Sequence, residues 1–100
     1  MRRLIMLAAV AVVVAPPVAA REIEQACLRS ERASGQRALC NWIQSAADMT
    51  LTQRDQKLAA TFFADPHRAQ EVRQSKRRKF EDFWERYENF GRLAQTYCGR

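Results

Sequence analysis

Hydrophobic residues recur every three or four positions through most of the chain, which is the spacing of one helix face. Two stretches show this spacing first, residues 22–33 and residues 36–49, with Ser34 and Gly35 between them as a turn. The inward positions are Ile23, Ala26, Cys27 and Ser30 in the first stretch and Leu39, Cys40, Ile43, Ala46 and Ala47 in the second. This pattern predicts an antiparallel helical hairpin.

A third helix is predicted to begin at Thr52, because Asp55 stands three residues later in the arrangement of a capping box. It continues through Leu58, Ala59, Phe62 and Phe63. Asp65 and Pro66 end it, since the residue before a proline avoids helical dihedral angles. The same pair begins a fourth helix, because aspartate is a favourable N-cap and proline suits the first helical position.

The last part of the chain carries a wide apolar stripe. Its members are Phe80, Phe83, Trp84, Tyr87, Phe90, Ala94, Tyr97 and Cys98. Ala69 and Val72 extend the stripe backward, but Lys76 projects onto its centre. Either one long helix overhangs or kinks around residues 74–79, or the helix stops and restarts with Ser75 as N-cap. We expect the overhang or kink, and we predict an all-α fold, a small disulfide-stapled bundle of about four helices.

The first twenty residues have the layout of a secretory signal peptide. Arg2 and Arg3 precede an unbroken apolar run at residues 4–15, and Pro16 and Pro17 then stand before small residues that end at Ala20. A membrane span needs about 20 apolar residues, so the run is too short for an anchor. We expect cleavage after Ala20, a periplasmic or secreted protein, and a single helical domain at residues 21–100.

Three cysteines remain in this 80-residue domain, and an oxidising compartment makes them disulfide candidates. A domain of this size gains only about 3 to 5 kcal/mol from its core, so a covalent staple is expected. Cys27 and Cys40 lie almost equidistant from the turn near residue 34, and we favour that pair. The alternatives join Cys98 to one of them. The favoured pairing leaves Cys98 as a free or intermolecular thiol.

Positive charge is concentrated in one segment. Residues 66–79 carry six basic groups and one acidic group, whereas the segments before and after them are nearly neutral. The candidate anion-binding residues are Arg68, Arg73, Lys76, Arg77, Arg78 and Lys79. Export makes nucleic acid an improbable partner and leaves anionic lipid surfaces or an envelope protein. The alternative is a solvated segment, partly neutralised by pairing of Arg77 with Glu81 and of Arg78 with Asp82.

Catalytic chemistry has little support in the sequence. His67 is the only histidine, and a metal site needs three or four suitable ligands, so no metal or other cofactor is expected. A nucleophilic cysteine needs a base and a pocket. The aromatic residues are best explained as core. Trp42, opposite Cys40 on its helix, either packs at an edge or forms an exposed anchor. We predict that the protein is not an enzyme.

Several segments resemble a group of short exported bacterial proteins of unknown function, some of which are labelled arginine transporter. The matching residues are 26–30, 39–40, 47–48 with 51–52, 65–75 and 83–84. Those relatives have a cysteine two residues after the position of Cys40, where this chain has Trp42, so the resemblance implies that a second bridge has been lost. Without its first twenty residues no segment of this chain could cross a bilayer, so a role in transport would be accessory.

Two functional hypotheses follow. The first is a small exported binding or accessory module for a protein partner or an anionic envelope surface. The second is a redox-responsive protein that acts through an unpaired thiol. The sequence names neither a ligand nor an oligomeric state.

Overall fold

The computed structural model describes residues 21–98, with side chains described as far as residue 96. This part of the chain is all-helical, as predicted, with five helices rather than about four. They are α1 Glu22–Arg29, α2 Arg37–Thr50, α3 Gln53–Ala64, α4 Pro66–Gln74 and α5 Arg78–Cys98. The predicted signal peptide lies outside the described residues.

A disulfide joins α1 to α2, and the predicted pair, Cys27 and Cys40, is confirmed. Their Cα atoms are 5.6 Å apart, and both residues are buried together with Ala33. The helix α1 ends at Arg29, four residues earlier than predicted. The Ser30 hydroxyl and amide both donate to the Cys27 carbonyl. These bonds end the helix at this point, so the chain can turn back and bring the two cysteines together. Gly35 completes the turn at a φ of 81°, a conformation that favours glycine.

The capping box at the start of α3 is present as predicted. The Thr52 hydroxyl accepts from the Asp55 amide at 3.0 Å, and the Asp55 carboxylate accepts from the Thr52 amide at 3.0 Å. At the other end, Pro66 occupies the first turn of α4. The Asp65 side chain makes no capping hydrogen bond there, and its carbonyl instead accepts from the Arg68 amide. The boundary is therefore where the sequence predicts it, but the aspartate side chain does not cap the helix.

The expected overhanging or kinked helix is wrong, because α4 and α5 are separate helices. The chain leaves helical geometry at Ser75, whose φ is −69° and ψ 139°, and α5 begins three residues later. The Ser75 hydroxyl accepts from the Arg77 amide at 3.2 Å, and the Arg77 carbonyl accepts the first helical bonds of α5. A continuous helix would point Lys76 into the core. The break keeps Lys76 exposed while the apolar residues on both sides reach the interior.

The main core lies where α5 crosses the other helices. Its buried members are Ile23, Ala46, Ala47, Leu51, Ala59, Phe62, Val72, Phe83 and Phe90. Phe62 meets Phe83 and Tyr87 edge-on, with ring centroids 6.0 and 5.4 Å apart. Aromatic pairs of this kind add about 0.5 to 1.5 kcal/mol each beyond the area they bury. Among the side chains that the structure describes, the aromatic stripe of α5 therefore faces the core, as the sequence predicts, with Phe83 and Phe90 buried and the other rings half-buried against them.

Two buried glutamines connect α1, α2 and α3. The Gln44 side chain accepts from the Glu24 amide at 2.9 Å and donates to Gln56 and Asp48, each at 2.8 Å. Gln56 also donates to Asp48, at 3.1 Å. A buried amide without partners would be costly, so these bonds fix how the three helices align. Gln44 also satisfies an amide in the first turn of α1, where no side chain of α1 caps the helix.

An ion pair connects α3 to α5. Arg86 donates twice to the Asp55 carboxylate, at 2.6 and 3.0 Å, and this carboxylate is 7% exposed. Burial raises the pKa of Asp55, but the hydrogen bonds from Arg86 and Thr52 outweigh burial and leave that pKa below its ordinary value. The same carboxylate therefore caps one helix and anchors another.

Removal of the bridge through Cys27→Ala with Cys40→Ala is expected to lower the free energy of unfolding by about 3 kcal/mol, because the unfolded chain is no longer constrained. Urea denaturation followed by circular dichroism measures this difference. Cys98→Ser is the matched control and is expected to leave the free energy of unfolding unchanged. An equal loss in the control would contradict the assigned role of the bridge.

Arg86→Met is expected to lower the free energy of unfolding by about 1 to 2 kcal/mol at neutral pH, a figure reduced because the Arg86 side chain is 41% exposed. Asp55 has a lowered pKa in the folded state, so the pair stabilises the fold above the ordinary pKa of 3.8. That stabilisation is lost as the pH falls through the folded-state pKa. Urea denaturation at neutral and acidic pH should therefore show the difference between the two proteins shrinking in acid. Arg92→Met, on the same helix, is the control, and a difference for Arg86→Met that does not depend on pH would contradict the assignment.

Candidate anion-binding surface

Three basic side chains gather around the ring of Phe80 at the break between α4 and α5. The Lys79 ammonium lies 5.0 Å from the ring centroid, and the guanidinium carbons of Arg68 and Arg77 each lie 5.7 Å from it. These are cation–π distances. We call these four residues the Phe80 cluster. Each of the three cations therefore has a favourable contact with the same ring.

The three cations come from different parts of the chain. Arg68 lies in the first turn of α4, Arg77 at the break, and Lys79 in the first turn of α5. The break folds the start of α5 back toward α4, because Phe80 and Val72 both pack on the same core. The shared ring thus turns a run of charges along the sequence into one local concentration of charge.

Little negative charge opposes this cluster. Arg68 is 3.9 Å from the Glu71 carboxylate, and this is the one salt bridge that any of the six predicted anion-binding residues forms within the described part of the chain. The pairs expected to neutralise the run, Arg77 with Glu81 and Arg78 with Asp82, do not form salt bridges. The cations are therefore exposed to solvent with most of their charge uncompensated.

The start of α5 adds to the positive potential. The first amides of a helix have no carbonyl partner within the helix, and they carry the positive end of the helix dipole. Arg78 and Lys79 lie in this first turn together with one acidic residue, Glu81, so the cations outnumber the anion where acidic residues are usually favourable. An anion bound at this end would relieve the repulsion.

The other three predicted anion-binding residues lie outside the Phe80 cluster. Arg73, Lys76 and Arg78 are exposed, and none of them contacts the Phe80 ring. The structure thus gathers three of the six predicted cations and leaves the other three at the periphery. The apolar stripe predicts that Phe80 faces the core, and the half-buried ring packs against the core. The ring also contacts the cations, and this second role could not be predicted from a local sequence pattern, because Arg68 lies twelve residues away from Phe80.

The structure gives no further support to the other candidate sites. His67 is exposed, and between residues 21 and 98 no three metal-ligating side chains lie together. The side chain of Cys98 lies outside the described residues. No helix in this same range is long and apolar enough to cross a membrane.

Comparison of the chain with family models, with curated proteins and with solved structures finds no match. The resemblance to short exported proteins therefore stays a prediction.

Proposed function

We propose that the protein is a small exported binding module that attaches to an anionic envelope surface through the Phe80 cluster. The observation that carries this proposal is the convergence of Arg68, Arg77 and Lys79 on one half-buried ring. Export itself rests on the sequence pattern of the first twenty residues.

Charge distribution supports a surface rather than a small ligand. Arg77 and Lys79 are exposed and Arg68 is half-buried, and the exposed residues Arg73, Lys76 and Arg78 extend the positive area beyond the cluster. An array of this kind suits many weakly held head groups, each basic residue close to an anionic membrane contributing about 1 kcal/mol. A specific protein partner would be expected to use a buried anchor as well.

The disulfide and the small core fit the same role. A covalent bridge preserves the fold outside the cell, where the protein meets oxidising conditions. The ion pair joins α5 to α3, and the glutamine network joins α3 to the hairpin, so α5, which follows the break, is anchored to the rest of the bundle.

Binding to vesicles that contain anionic phospholipid tests the proposal. Arg77→Glu with Lys79→Glu is expected to lower the partition coefficient by at least roughly 30-fold, the equivalent of two lost basic contacts. Binding of the unaltered protein should fall sharply between about 0.1 M and 1 M salt, because the Debye length falls from about 10 to about 3 Å. Co-sedimentation measures both effects.

Arg37→Glu with Arg54→Glu is the matched control. It changes the net charge by the same amount at exposed positions outside residues 66–79. We expect its effect to be much smaller than that of the cluster variant. Equal losses in the two variants would mean that binding follows net charge rather than the cluster, and binding that is insensitive to salt would remove the electrostatic basis of the proposal.

The redox alternative concerns Cys98, because the chain has three cysteines and two form the bridge. For a binding module we expect a monomer with one bridge and one thiol, which alkylation in denaturant followed by non-reducing mass spectrometry would place at Cys98. A covalent dimer or a mixed disulfide at Cys98 would favour the redox function instead.

A further inference from the structure

A cleft separates the disulfide hairpin from the start of α4. Its volume is ≈ 760 Å³, within the range of about 300 to 1,000 Å³ typical of small-molecule sites. The hairpin side is formed by residues 29–33, and the opposite side includes Pro66, Ala69 and Gln70. Val72 is the one fully buried side chain of α4, so the first turns of this helix stand away from the hairpin and leave the cleft between them.

The floor of this cleft is apolar. Ile43, Phe62, Phe63 and Tyr87 contribute to it, and Phe63 is only half-buried. Phe63 and Tyr87 are half-buried and so keep part of their apolar surface in water, which an apolar ligand in the cleft would cover favourably.

A second cavity of ≈ 380 Å³ continues the cleft along α1 and α3. The two cavities share Arg29, Ser30, Phe63 and Ala64, so they are neighbouring sections of one elongated groove. The second section is lined mainly by small residues, among them Ala26 and Ala60. Two adjoining sections with mainly apolar linings give room for a linear hydrocarbon chain.

Two arginines, Arg29 and Arg32, lie on the rim of the groove, on the side that the hairpin forms. The Arg29 side chain donates one hydrogen bond, from Nε to the Gln25 carbonyl at 3.3 Å, so its terminal nitrogens face no partner in the described part of the chain. Arg32 is exposed and forms no salt bridge there. Glu31 is the single acidic residue of the lining, which leaves a net charge of about +1 at this rim. That charge matches a ligand with one negative group.

We propose that this groove binds a long-chain carboxylate, with its hydrocarbon chain along Phe63 and Tyr87 and its carboxylate at Arg29 and Arg32. A guanidinium can hold a carboxylate through two parallel hydrogen bonds, which a neutral head group cannot reproduce. The groove is separate from the Phe80 cluster, so the proposal does not depend on attachment to an anionic surface.

Displacement of the fluorescent probe dansyl-undecanoic acid by palmitate tests the proposal. The protein is expressed from its full coding sequence and purified in the form that the cell accumulates. Palmitate is expected to displace the probe, and hexadecanol, with the same chain and no charge, to bind at least roughly tenfold more weakly. Lysophosphatidylglycerol is the third competitor and is also expected to bind more weakly than palmitate.

Two variants locate the site. Arg32→Glu reverses an exposed rim charge and is expected to weaken palmitate binding at least roughly tenfold, whereas Arg54→Glu, an equivalent change on α3 outside the groove, should have no effect. Ala64→Trp places a large side chain in the wall that both cavities share and is expected to weaken binding by a similar factor. Ala38→Trp, at another exposed alanine, is its control. Circular dichroism and thermal unfolding show that each variant is folded.

Several results would overturn the proposal. These are no displacement by palmitate from the folded protein, equal binding of palmitate and hexadecanol, tighter binding of the lysophospholipid, or no effect of either groove variant. A dimer whose formation palmitate inhibits would instead assign the groove to a second copy of the chain, and sedimentation velocity detects it. Vesicle binding should be unchanged in Ala64→Trp, so failure of this proposal and failure of the surface proposal are distinguishable.

Discussion

The bond between Cys27 and Cys40 is the constraint on which the arrangement of the helices depends. The helical part of the chain that the structure describes has a small core, and much of that core consists of alanine. The bridge closes the hairpin at its turn end, where α1 has only eight residues and would be marginal alone. With the hairpin closed, Ile23 and Ala47 can present one apolar surface to α3 and α5. The same bridge holds residues 29–33 in place as one wall of the proposed groove.

Polar contacts then define the orientation of the helices that the bridge does not reach. Gln44 and Gln56 join the hairpin to α3, and Asp55 joins α3 to α5 through Arg86. Apolar packing alone tolerates sliding between helices, whereas hydrogen bonds with buried partners require one alignment. Asp55 is central in this respect, because its carboxylate completes the capping box by accepting from the Thr52 amide and also accepts hydrogen bonds from Arg86.

The break after α4 connects the fold to the proposed function. Its cause is hydrophobic, because a continuous helix would direct Lys76 toward the interior. Its consequence is electrostatic, because the restart brings Arg68, Arg77 and Lys79 to one ring and leaves two cations on the first turn of α5. The stripe of α5 stays buried while the charges are concentrated at its beginning. The surface proposal and the groove proposal therefore use two different faces of α4.

The sequence alone determined the local features of this protein. The capping box at Thr52, the boundary at Pro66 and the aromatic stripe of α5 follow from short-range spacing, because dihedral preferences and helical periodicity act over a few residues. Spacing about the turn favoured the pairing of Cys27 with Cys40 but left pairing with Cys98 open, and the packed hairpin decided between them. Tertiary structure decided the rest. The break at Ser75, the partners of Gln44 and Asp55, and the meeting of Arg68 with Phe80 depend on which helix faces which. Helical spacing shows which side chains share a face, but only the packed bundle determines which of them are buried. Residues twelve to thirty-one positions apart become neighbours only after the bundle has formed.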